Sequence, residues 1–170
     1  MNRAVYNDLY MTGPTNFRIG AGKLEIDYED VGLTNEDGMI VHYEPDVHLH
    51  YSGKFGNTPV KASLIGQVLT LEVTVAEQTL ANVMRTYAGV TLTSGRVQFG
   101  GLAGREIDGK ALKLSPFDDT EPFYFKNAVP TSAVEAEYSV KNERLTKVTF
   151  TALVDIDALE AENLGYIGPS

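Results

Sequence analysis

Apolar and polar residues alternate along most of this chain, and the alternation changes period once. Leu69, Leu71, Val73 and Val75 alternate with Val68, Thr70, Glu72 and Thr74, the spacing of a strand buried on one face. Leu80, Val83, Met84 and Tyr87 then recur at i, i+3, i+4 and i+7, which is one apolar stripe on a short helix. Thr74 followed by Glu77 reads as a capping box and Gly89 as a stop, so the pattern predicts one helix over about residues 75–88.

Strands and turns account for the rest. Leu24, Ile26 and Tyr28 alternate with Glu25 and Asp27 as a strand with one dry face, and Glu36-Asp37-Gly38 reads as the turn after it. A second strand, Met39 to Glu44 and Val47 to Tyr51, is interrupted at Pro45, which cannot donate to a ladder and so predicts a bend or an edge. Ser52 to Pro59 is a polar, Gly-containing loop, and Val60 to Ile65 a further strand before the central one. After the helix, Val90 to Phe99 and Arg105 to Leu114 read as shorter strands, with Asp108-Gly109 as a two-residue hairpin turn. Ser115 to Ser132, with three prolines, reads as a connection. A last hairpin pairs Val134, Ala136, Tyr138 and Val140 with Val148, Phe150, Ala152 and Val154. The ends lack periodicity. The expectation is a mainly β fold, a sandwich or barrel of antiparallel strands with one flanking helix. It divides into an N-terminal arm over 1–16, one β domain over 17–156 and a C-terminal arm over 157–170.

Composition narrows the chemistry. At 170 residues the chain hides roughly 70% of its unfolded surface on folding and needs no disulfide or metal as a staple. It contains no cysteine, which removes thiol catalysis and thiolate metal sites. No apolar stretch approaches the ~20 residues of a membrane span, and Met1 to Gly13 lacks the apolar centre of a signal peptide, so the chain is expected to fold in cytoplasm without a membrane partner. Lysine and arginine number 14 against 23 acids, a net charge of −9, which argues against a static nucleic-acid reader. From Leu24 to Gly53 there are eight acids and no lysine or arginine, either a solvated face or a surface that repels polyanions.

Candidate sites are few. His48 and His50 would project from one face of a strand, a spacing that can bind a metal through imidazole. The cupin pattern fails, because Lys54 stands where that family has a carboxylate, and no distant histidine completes the set with His42. Gly104 to Lys110 fits seven positions of a phosphate-cradling loop, but Ala111 replaces the magnesium-binding hydroxyl and two acids lie inside the would-be anion nest. Asp118 with Asp119 and Asp155 with Asp157 fit acid pairs in turns, and no nucleophile-elbow motif appears. No catalytic residue, cofactor or resident metal is expected.

The order of these features resembles the tail tube (major tail) proteins of long-tailed bacteriophages. Three segments carry the likeness: GAGKLEIDYEDVGLT followed by GMIVHYEPDVHL, the strand entering a helix in GQVLTLEVTVAEQTLANVM, and the closing hairpin ending VTFTALVD. The resemblance implies a structural virion protein, not an enzyme, that forms hexameric rings stacked into a tube, assembled in the host cytoplasm and located in the virion tail. Its partners would be copies of itself and the tape-measure, tail terminator and baseplate proteins, with DNA passing through unbound. It further implies that Ser52, Gly53, Lys54, Phe55, Gly56, Asn57, Thr58 and Pro59 form a loop reaching an adjacent ring, that the two arms bridge stacked rings, and that strands pair edge to edge between subunits. Glu25, Asp27, Glu135 and Glu137 are the candidates for an acidic lumen. The alternatives are another component of the same fold family (a tail terminator, a baseplate ring, or an injection or secretion system tube) and a small metal enzyme on a β-barrel using His48 and His50.

Overall fold

Each long alternating run becomes a strand whose apolar set faces a common interior. The computed structural model describes residues 15–20, 22–76, 79–101, 103–117, 121–132, 135–136, 145–157 and 163–168. In chain order its elements are β1 (Thr15–Gly20), β2 (Gly22–Ile26), β3 (Glu29–Tyr51), β4 (Pro59–Val75), α1 (Leu80–Thr86), β5 (Thr91–Thr93), β6 (Arg96–Gln98), β7 (Lys110–Pro116), β8 (Phe123–Pro130), β9 (Glu135–Ala136), β10 (Thr146–Ala152) and β11 (Gly165–Ile167).

The pairings close on themselves. β7, β2, β3, β4, β10 and β8 follow one another through antiparallel ladders, and β8 pairs back to β7, so six strands make a closed barrel. β1 adds to β3, β9 to β10 and β11 to β8, while β5 and β6 form a separate hairpin. The interior is filled by every second residue: Leu24 and Ile26, Met39 and Val41, Leu71 and Val73, Leu112 and Leu114, Phe125, Val148 and Phe150 are all essentially sealed from solvent. Each such side chain contributes roughly 1.5–3 kcal/mol by leaving water. The expected mainly β fold with one helix is therefore observed, in its barrel form.

Four local expectations are corrected. The first hairpin turns at Asp27-Tyr28, both with positive φ (51° and 67°), so Tyr28 is exposed and not on a dry face. Glu36 to Gly38 does not end a strand; β3 runs through it with a register shift between Thr34 and Met39, where Gly38 adopts φ 73°. The connection from Ser115 to Ser132 contains a full barrel strand, β8, because Pro122 lies just before it and Pro130 at its last position. Asp108-Gly109 is no hairpin turn; Gly109 matters instead for close approach, since a Cβ there would overlap the Asn127 side chain.

The helix is shorter than expected, and its fully buried residues are polar ones beside the apolar stripe. Its cap is Thr79, whose Oγ1 accepts the Asn82 N–H at 3.1 Å, not Thr74, which belongs to β4; Glu77 lies outside the described residues. Asn82 and Thr86 are its buried residues, with Asn82 Nδ2 donating to the Val31 carbonyl at 2.7 Å. Leu80 is exposed and Val83, Met84 and Tyr87 are only half-buried, with the Tyr87 ring edge-on to Phe99. Arg85 pairs with Glu29, and the Lys110 ammonium donates to the Met84 and Arg85 carbonyls at 2.9 and 3.0 Å, closing the helix C-terminus. The described part of the C-terminal arm returns to the barrel: Leu164 is buried and Gly165–Ile167 pairs with β8. Tyr138, Val140 and the turn expected over 141–144 lie outside the described residues, as does the N-terminal arm up to Pro14.

A candidate assembly surface

Two of the barrel strands are too long for the barrel. β3 and β4 contribute Met39 to Tyr43 and Leu69 to Val75 to the wall, where β1 and β10 flank them. From Glu44 and Val68 outward they pair only with each other among the described residues, through Asp46↔Gly66, Val47↔Leu64, Leu49↔Ala62 and His50↔Lys61 to Tyr51↔Pro59. The result is a two-stranded blade with its backbone edges bare on both sides. Pro45 sits where β3 has a ladder partner on one side only, a position that tolerates a residue without an N–H. A register shift follows at once, between Asp46 and Val47.

Alternation carries the barrel's inward face out along the blade. Tyr43 packs against the core and its hydroxyl donates to Gln67 Oε1 at 3.1 Å. Beyond it, on the same face, stand Val47 (44% exposed), Leu49 (41%), Leu64 (56%) and Tyr51 (61%), with nothing in the described chain covering them. Isolated two-stranded ribbons are marginal in water, and apolar rows of this kind mark interaction surfaces. The opposite face is polar along its outer stretch, with the half-exposed Val68 beside Glu44 at its root. His48 and His50 stand edge to face with ring centroids 4.8 Å apart, His50 Nε2 is 2.9 Å from Ser63 Oγ, and Lys61 lies opposite His50.

The expected loop, Ser52 to Pro59, is the blade's tip. Gly53–Phe55 form one 3-10 turn, the Phe55 N–H donates to the Ser52 carbonyl at 2.9 Å, Phe55 is exposed and the Lys54 ammonium lies 5.8 Å from its ring centroid. The charges are sorted along the blade. Between Ser52 and Ile65 the only charged residues are Lys54 and Lys61, whereas Glu44 and Asp46 stand exposed where the blade leaves the barrel.

The remaining candidates are scattered. His42 is on the same face of β3 as His48 and His50 but on the barrel wall, with its Nε2 3.7 Å from Glu72 Oε1; Lys147 reaches the other oxygen of Glu72 at 3.6 Å. Among the described residues no three His, Asp or Glu side chains gather into a metal-holding group. The lumen candidates do not form one surface. Glu25 is held by Lys23 at 3.0 Å and Lys113 at 3.9 Å, and Asp27 accepts the Ala111 N–H at 3.0 Å inside its turn. Glu135 pairs with Lys147 in the ladder, on β9, separated from β2 by three strands, β3, β4 and β10, and Glu137 lies outside the described residues. Lys110, the lysine of the phosphate-loop pattern, serves the helix C-terminus. Among the described residues no helix is long and apolar enough to cross a membrane.

No protein-family model matches this chain, and no curated protein matches it. The blade was the part of the surface that residue chemistry overlooked. Its signal was the continued alternation through Val47, Leu49 and Tyr51 after the strand had already spanned a barrel's height.

Proposed function

We propose that this chain is a self-assembling structural subunit, a phage tail tube protein whose rings stack through the β3–β4 blade. The blade carries this reading: an apolar face continuous with the core, left bare in the single chain, is the form expected of a surface completed by another copy. Charge sorting gives the contact a direction, since the lysine-bearing tip of one copy suits the Glu44 and Asp46 root of the next. Bare edges on β1, β9 and β11 among the described residues offer the sideways pairings that would close a ring. Ring formation multiplies the net charge of −9 with every copy, which would keep passing DNA from adhering. Glu25 and Asp27 are not proposed as lumen groups, because lysines and a backbone N–H already occupy them.

Sedimentation of the purified chain over a concentration series, followed by electron microscopy, tests the proposal. Hollow filaments built of stacked rings are expected. Isolated rings would instead point to a terminator or baseplate component, and a monomer at every concentration would overturn self-assembly.

A further inference from the structure

The wall of the barrel opposite the blade holds a different surface. On the outer face of β7, β8 and β11, Lys113, Tyr124 and Tyr166 form one rung across three paired strands. The two tyrosine rings are stacked, centroids 4.6 Å apart and 17° from parallel, with the Lys113 ammonium 5.7 Å from the Tyr124 centroid and that of Lys126 5.8 Å from Tyr166. Across the small side chain of Ala111, the Asp27-Tyr28 turn sets a third tyrosine at the rim, and these residues with Asp155 line an open groove of about 330 Å³.

Tyr28 is the telling residue. Its φ of 67° lies in the left-handed region, where a two-residue turn favours Gly or Asn and a bulky side chain is strained. At 90% exposure its ring gains little burial to offset that cost. The pairing that imposes the turn does not call for an aromatic there, and a tyrosine held in solvent beside a stacked tyrosine pair has the form of one wall of a binding groove.

We propose that this groove binds a saccharide. A sugar ring presents an apolar C–H face that suits the tyrosine rings and a girdle of hydroxyls that needs donors and acceptors together. The groove supplies ammonium donors from Lys113 and Lys126, phenols that do either, and an acceptor in Asp155, whose Oδ1 is fixed by the Asp157 N–H at 3.1 Å. Single-stranded nucleic acid also stacks on aromatic rings, but it requires a surplus of cations along its backbone. Here Lys113 already faces Glu25 at 3.9 Å, Asp155 lines the wall, and the chain as a whole carries −9. The inference does not depend on assembly and is tested on the dilute chain.

The chain has no tryptophan, and three of its nine tyrosines line the groove, so a ligand-dependent change in tyrosine fluorescence, paired with isothermal calorimetry, reports binding there. Chitotriose, cellotriose and maltotriose are titrated as soluble oligosaccharides, insoluble peptidoglycan is tested by co-sedimentation as a separate source of the same chemistry, and oligo-dT serves as the competing class. At least one saccharide is expected to bind. Tyr28→Gly, which relieves the turn and so keeps the fold, should weaken that binding by about tenfold, while Lys54→Ala on the blade leaves it unchanged. Absence of binding by every saccharide, equal binding by Tyr28→Gly, or tighter binding of oligo-dT would each overturn the proposal.

Discussion

The inner and outer halves of β3 and β4 are built from the same kind of sequence and meet opposite fates. Met39, Val41, Leu71 and Val73 alternate with polar residues and are sealed inside the barrel; Val47, Leu49, Tyr51 and Leu64 alternate in the same way and stand in solvent. The pleat turns side chains to one face or the other, but whether that face is dry depends on what lies across from it. For the inner half it is β7, β8 and β10 of the same chain; for the outer half it is, on our proposal, another copy.

The comparison can be broken most forcefully by truncating one leucine in each half. Leu71→Ala should lower the stability of the dilute chain by about 2–5 kcal/mol in urea unfolding, because it removes packed atoms and leaves a cavity. Leu49→Ala should cost within about 0.5 kcal/mol in the same measurement yet abolish assembly seen by sedimentation. Equal losses of stability would mean that the blade packs against its own chain.

A second test concerns α1, whose apolar stripe is only partly covered, with Leu80 left in solvent. The helix is fastened by Asn82, which donates to the Val31 carbonyl, so Asn82→Ala should cost about 1–3 kcal/mol and selectively speed hydrogen exchange of residues 80–86. Leu80→Ala, at an exposed position, should leave that exchange nearly unchanged.

The third test is pH. Burial pushes Lys110 below the ordinary lysine value of 10.5, against a weaker opposing pull from the Asp27 charge. The unfolded chain therefore holds the proton to higher pH than the folded one, and the contribution of Lys110 to stability rises as pH climbs from its folded pKa to 10.5. Lys23 acts oppositely: hydrogen bonds to Glu25 and Asp30 raise its pKa, so its contribution is full below 10.5 and is lost above it. The stability of the parent chain relative to Lys110→Gln should grow across the alkaline range below 10.5, and a flat difference would show that burial does not govern this lysine. The smallest effect is expected on the barrel's outer wall, where Lys147→Ala breaks an exposed pair with Glu72 and should change stability by no more than about 0.5 kcal/mol.

What could be read from residues alone follows from the range of the forces involved. The period of two over Leu69 to Val75 and over Val148 to Ala152 is a local property, and both runs are barrel strands. β8 was hidden because Pro122 and Pro130 look like loop residues, although Phe123 and Phe125 already alternate between them; a proline just before a strand and one at its last position do not break it. The helix stripe misled because Leu80, Val83 and Met84 are apolar, whereas the residue buried deepest against β3 is Asn82, which donates to the Val31 carbonyl. The turn at Asp27-Tyr28 carries no glycine and is imposed by the Ile26↔Glu29 pairing and the Asp27 bond to Ala111, a residue from a distant strand. The loop over Ser52 to Pro59 was legible as a loop, but its place at the end of a blade depends on where the barrel stops, which is a tertiary fact. The acids at Glu25 and Asp27 looked available because their lysine and backbone partners come from outside the acidic segment or just before it.

Amide hydrogen exchange of the blade, compared between dilute and concentrated protein, addresses the central claim most directly. Residues 44–51 and 59–68 should exchange rapidly in the dilute chain, where their outer edges are bare, and become protected on concentration while the barrel interior, already slow, hardly changes. A blade equally protected at both concentrations, or equally unprotected, would contradict the claim that a second copy completes it.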